Sequence, residues 1–178
     1  MSYKLIETKS LGSNAVSIDF TSIPQTYTDL ILVISIRADI SFSYASIGLR
    51  FNSDSGSNYT SRLLYGEGSG SGFPALATTT ALQWIYGTGT TATSNTFGNG
   101  QLYIPNYTGS TAKSVITESV SENNATSAIQ ALTFTGWSGT AAISSMSLFI
   151  QSGQNILSGS SASLYGVLKG SDGIVTTS

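Results

Sequence analysis

Short segments in which apolar residues alternate with polar ones recur along the whole chain, each bounded by clusters of Gly, Ser, Asn and Thr. Alternation of period two fits half-buried strands, and the 3.6-residue period of an amphipathic helix is almost missing. Stretches 3–9, 15–20, 27–38, 45–52, 59–66, 82–87, 102–105, 113–121, 128–137, 143–151 and 162–168 read as strands. About ten short strands with turn signals every 8–12 residues or so predict an all-β, antiparallel sandwich or barrel. The one helix candidate, 125–132 with Asn124 as a cap, runs on into Leu132-Thr133-Phe134-Thr135-Gly136-Trp137. That β-branched and aromatic alternation reads as strand.

The stretch 27–38 is the most apolar. Leu30, Leu32, Ile34 and Ile36 occupy one face and Ile31 and Val33 the other. A strand apolar on both faces is covered on both, here by a second sheet and by a loop or a neighbouring subunit. Two stretches of low complexity, 66–72 and 87–100, read as long surface loops. No linker or internal repeat divides the chain, which predicts one domain over 1–168 and a mobile tail over 169–178.

Composition narrows the function. Only 9% of the 178 residues are charged, the net charge is −2, and serine with threonine makes up about 30% of the chain. The surface is therefore expected to be neutral hydroxyls and backbone, against roughly 25% charge in an average domain. Histidine and cysteine are absent, which removes Ser-His-Asp and Cys-His nucleophiles, disulfides and ordinary zinc sites. No cofactor, metal or catalytic residue is expected. With seven scattered cations there is no basic stripe for nucleic acid. Lys4, Glu7 and Lys9 have no long apolar run behind them, unlike a secretory signal. The longest strongly apolar run, 30–34, is far short of the roughly 20 residues of a membrane helix.

Other constellations have plainer readings. The glycines of 66–72 lack the Lys-Ser/Thr of a P-loop. Asp54-Ser55-Gly56-Ser57-Asn58 carries one carboxylate and reads as a turn, not a calcium loop. Glu118 and Glu122 would share a strand face roughly 13 Å apart, beyond the spacing of a glycosidase pair. Asp29 with Asp39, or Glu67 with another acid, would need tertiary structure to meet. Lys113 and Ser114 point to opposite faces of a strand and cannot form a dyad. The three Asn-x-Thr sequons at Asn58, Asn106 and Asn124 are expected by chance in a threonine-rich chain.

The aromatic residues are the remaining handle. Trp84 and Tyr86 share a strand beside a Thr/Gly-rich stretch, and Tyr103 and Tyr107 flank Ile104-Pro105-Asn106. Flat rings with an amide suit stacking on sugar, so Trp84, Tyr86, Tyr103, Asn106 and Tyr107 are the candidate glycan or partner contacts, although core packing uses the same residue types. Trp137 reads as core.

An ordered series of short motifs carries a resemblance. It comprises Ile23-Pro24-x-x-Tyr27-x-Asp29-Leu30, Phe51-Asn52-x-Asp54-x-x-x-Asn58-Tyr59, Thr96-Phe97-Gly98, Ile104-Pro105-Asn106-Tyr107, Glu122-Asn123-Asn124 and Leu164-Tyr165-Gly166. Together these resemble small tailed-bacteriophage virion proteins, tail-fibre-like or capsid-decorating, that are common in aquatic phages. The resemblance implies a jelly-roll-like β-sandwich, a homotrimer on the particle surface, contacts to other capsid or tail proteins, and assembly in the host cytoplasm. It carries no catalytic residue. The chain has no coiled coil or shaft of a complete fibre, which favours a capsid decoration or head-fibre component bound through its N-terminal strand or C-terminal tail. A tail-fibre or tail-tip receptor binder touching host glycan through 66–74 and 87–98 is the alternative, and a small polysaccharide depolymerase is a third.

Overall fold

In a computed structural model that describes residues 2–68, 70–123 and 128–168, the chain forms two antiparallel sheets packed face to face. The strands are β1 (Ser2–Ser10), β2 (Ser17–Phe20), β3 (Asp29–Ile36), β4 (Tyr44–Phe51), β5 (Tyr59–Glu67), β6 (Gly70–Gly72) and β7 (Ala75–Thr79), followed by β8 (Leu82–Thr88), β9 (Gly98–Ile104), β10 (Lys113–Glu122), β11 (Ala128–Trp137), β12 (Met146–Ile150) and β13 (Ser161–Leu168). No helix occurs among the described residues. The fold is the all-β sandwich that the alternation predicts. The expected tail, 169–178, and Asn124 lie outside the described residues.

The large sheet runs β1-β13-β3-β9-β10-β11-β5-β6, with β7 also pairing β5, and the small sheet runs β2-β12-β4-β8. If β5–β7 and β10–β11 are set aside, eight strands remain. In chain order, the first, last, third and sixth of them lie side by side in the large sheet, and the second, seventh, fourth and fifth form the small one. The five other strands widen the large sheet on one side.

Period-two alternation puts Leu30, Leu32, Ile34 and Ile36 of β3 inward against Ile47, Leu49 and Phe51 of β4 and Leu148 of β12, all buried. Burying each such side chain contributes about 1.5–3 kcal/mol. Trp137 is in this core as expected, packed at 5.4 Å from Phe51 and stacked on Tyr59 at 6.3 Å. Lys113 turns inward, its ammonium bonded to the carbonyls of Gly109 (2.7 Å) and Thr111 (2.5 Å), while Ser114 faces out.

Three expectations need correction. Part of 66–72 is strand: β6 pairs β5 through Gly66↔Ser71 and Glu67↔Gly70. A glycine-rich segment can enter a ladder because backbone alone makes those bonds. Within 87–100, Gly98, Asn99 and Gly100 begin β9, and a Cβ on Gly98 would sit 2.7 Å from the Cα of Gly87 on β8. Glycine there lets the two sheets touch backbone to backbone. The rest of that stretch is tied down by Arg37, described below. Finally, the stretch 15–20 is strand only from Ser17: at Ala15 the chain bridges Ile156 instead of following the sheet, and Val16, before β2, is exposed.

Hydroxyls are not confined to the surface. Inward positions of β5, β10 and β11 carry buried Ser61, Thr117, Ser119, Ser121, Thr133 and Thr135. They meet β8, the edge strand of the small sheet. Ser119 Oγ accepts from the Tyr86 N–H at 3.1 Å, Thr133 Oγ1 donates to the Trp84 carbonyl at 2.9 Å, and Thr88 bonds Ser121 at 3.1 Å. An edge strand exposes unpaired backbone groups, and here side-chain hydroxyls of the opposite sheet satisfy them.

Candidate functional site

The two outer faces of the sandwich differ in chemistry. On the small sheet the outward residues include Ser17, Asp19, Ser46, Ser147 and Arg50, with the Arg50 guanidinium 4.5 Å over the Phe149 ring. The large sheet presents instead a cross-strand row: Leu5 of β1 opposes Tyr165, Tyr165 opposes Ile31, then Tyr103, Ile116, Phe134 and finally Arg62 of β5. Six of these seven side chains are apolar or aromatic. Leu5 is 51% exposed, Ile116 45% and Phe134 46%. The next row is Ser163, Val33, Gln101, Glu118, Leu132 and Leu64, and the one after it Ser35, Asn99, Val120, Gln130 and Gly66.

Cross-strand neighbours sit close enough for such side chains to pack as pairs, which makes the surface continuous. Exposed large apolar side chains are normal singly, but a contiguous apolar surface marks an interaction site. Of the two covers expected for β3, the small sheet takes one face; on the other, Ile31 is buried among its neighbours while Val33 stays 40% exposed among the described residues. Toward β6 the face dips into a depression of about 930 Å³ lined by Val33, Leu64, Tyr65, Phe73, Glu118, Val120, Gln130 and Leu132, among others. A smaller one of about 230 Å³ lies among Tyr3, Ile31, Val33, Gln101 and Tyr165.

The five candidate contact residues do not form one surface. Trp84 and Tyr86 belong to a satellite cluster with Leu63, Ile129 and Ala131 between β8 and the large sheet. Tyr86 is buried, and burial pushes its hydroxyl well above the usual range. Trp84 is half-buried at φ +63°, opposite Gly48 where two residues of β8 face one of β4. A bulky residue in that region is strained, and the Thr133 bond to its carbonyl helps hold it. At the other end, Tyr103 and Asn106 are joined by Asp29: the Tyr103 hydroxyl donates to Oδ2 at 2.7 Å and the Asn106 N–H to Oδ1 at 2.8 Å. Burial and that carboxylate push Tyr103 up to about 12. Tyr107 is fully buried and donates to the Pro24 carbonyl, so it is a core residue and not a surface contact. Of the five, only Tyr103 takes part in the apolar row.

The acids that the sequence offered have structural commitments or face outward among the described residues. Asp29 is committed to Tyr103 and Asn106, Asp54 to the turn that holds Gly56, Asn58 and Trp137, and Glu118 and Glu122 face outward along β10. No group of three or more metal-ligating residues occurs among the described residues.

Ile116, Phe134 and Leu64 were not singled out by sequence as surface contacts, whereas Val33 was, on the second apolar face of β3. The available signal was the pair of apolar sets on β3 and the Leu132, Phe134 alternation of β11. No protein-family model matches the chain, and neither does any curated protein or solved structure.

Proposed function

We propose that this protein is a non-enzymatic structural component of a tailed-phage virion, a trimeric capsid decoration or head-fibre protein whose copies meet through the outer face of the large sheet. The observation that carries this reading is the unbroken apolar row from Leu5 to Phe134 across six strands. Strand spacing and length give the face roughly 900 Å², comparable with the about 800 Å² per partner of a standard interface. Scarcity of charge on that face favours the same end, because association strands few ions away from water. The interleaved order of the eight strands supports a jelly roll, an architecture built of two Greek keys.

Sedimentation equilibrium of the purified chain tests the assembly. A mass three times that of the chain at micromolar concentration supports it, and a persistent monomer overturns it. Phe134→Glu, which places a charge at the β11 end of the row, is expected to give a folded monomer. Electron cryomicroscopy of the particle tests the location: density over the capsid supports the reading, and density confined to the tail overturns it.

A further inference from the structure

We infer that the depression beside β6 receives the β5–β7 corner of a neighbouring copy, with Phe73 of that copy seated in it and Arg62 meeting Glu118. This rests on the self-assembly proposed above and names the contact that makes it. The floor is apolar, and no lysine or arginine lines it, yet it contains Glu118. No partner for that carboxylate occurs among the described residues. An apolar occupant that covered it without a cation would strand a charge, which is costly. The occupant must therefore be apolar and bring one cation.

The chain itself has such a surface. Phe73 is 83% exposed and stands at the rim beside exposed Leu64. Arg62, two residues before Leu64 on the same face of β5, donates among the described residues through Nη1 to the main-chain carbonyls of Ser61 (3.2 Å) and Leu76 (3.3 Å). Arg62 and Glu118 lie two strands and one row apart, and no ion pair joins them within the chain.

The other cations do not fit. Arg37 and Lys113 are buried, Arg50 lies on the opposite sheet over Phe149, and Lys9 pairs with Glu7 at 2.6 Å. Lys4 alternates to the side of β1 away from Tyr3 and Leu5, and Lys169 lies outside the described residues. Each copy thus carries a corner at one edge of the face and a receiving depression nearer its middle. Corner into depression is a heterologous contact, which closes as a ring when the rotation allows, here about a threefold axis.

The test is the oligomer dissociation constant of wild type, Arg62→Glu, Glu118→Arg, Phe73→Ser and the double charge exchange Arg62→Glu with Glu118→Arg. All the altered side chains are on the surface, and melting temperatures within a few degrees of wild type confirm folding. Each single substitution is expected to weaken association by roughly tenfold or more, and the double exchange to recover most of the loss. Single variants within twofold of wild type, or a double exchange no better than either single one, overturn this contact while leaving the trimer standing. A monomeric wild type overturns the assembly reading as well.

Discussion

The indole N–H of Trp137 donates to Asp54 Oδ2 at 2.7 Å, so a ring of the core is fastened to the carboxylate of a surface turn. That bond, with others from Asn58 and the Gly56 N–H, holds the Asp54 carboxyl below its usual range. A carboxylate favoured by the fold contributes stability that is fully present above the unfolded value near 3.9 and is lost as pH falls through the folded one. Asp54→Asn is therefore expected to be less stable than wild type at pH 6, with the difference shrinking as pH falls through the lowered folded value. Denaturant titrations across that range, read by tryptophan fluorescence, check it. A difference independent of pH would show that the charge plays no part.

At the alkaline end tyrosines decide. Burial raises Tyr59 to about 12, burial and Asp29 raise Tyr103 to about 12, and burial also raises Tyr44, Tyr86 and Tyr107. Groups raised in the folded state give stability that is complete below the unfolded value near 10 and falls away as pH climbs through the folded values. Part of the tyrosinate absorbance at 295 nm should then appear only together with loss of the β circular dichroism signal. Full ionisation at pH 11 with the fold intact would contradict the burial of these hydroxyls.

Arg37 explains why 89–97 is ordered. Its guanidinium is buried with no carboxylate partner among the described residues and donates to the carbonyls of Thr90 (3.4 Å), Ala92 (3.0 Å), Thr93 (2.8 Å) and Thr96 (3.0 Å). Arg37→Met leaves those carbonyls without their donor and is expected to cost about 2–4 kcal/mol, since each buried unsatisfied group costs about 1–3. Hydrogen exchange in 89–97 should rise with it. Arg62→Met, at the surface, should cost under about 0.5 kcal/mol by the same assay.

Two threonines on the inner face should respond in opposite directions. Thr133 Oγ1 bonds the Trp84 carbonyl, whereas Thr117 Oγ1 is buried with no partner among the described residues. Thr133→Val is expected to destabilise by about 1–2 kcal/mol, and Thr117→Val to be neutral or stabilising. Chemical denaturation of both variants checks the pair, and equal losses would disprove the assignment.

How much of this was legible in the sequence follows from what alternation encodes. All eleven stretches read as strands overlap one, because alternation marks a pleated segment. β6 and the start of β9 escaped because Gly70, Gly98 and Gly100 have no side chain to alternate, and β7, a short strand mostly of small and hydroxyl residues, escaped as well. Which face is inside was harder. On β10 the inward set is Val115, Thr117, Ser119 and Ser121 and the outward set Ile116, Glu118, Val120 and Glu122, so hydropathy points to neither. Hydroxyls taken for surface turned inward because the edge of β8 needed bonding partners, a demand visible only after the sheets are placed. The apolar outer face was half legible: β3 announced two buried sides, but the row depends on register between strands far apart in the chain. Arg37, a cation at the end of the most apolar strand, was the unread sign that a threonine-rich stretch would be anchored.

The seam of hydroxyls between β8 and the large sheet also bears on how the protein responds to temperature. Apolar area exposed on unfolding raises heat capacity, and polar area lowers it. A sandwich that closes one half with serine and threonine should therefore have an unfolding heat-capacity change below the about 12–15 cal/mol/K per residue of ordinary domains, and a flatter stability curve. Such a molecule would keep its shape across a wide span of cold and warm water without being unusually stable at any one point.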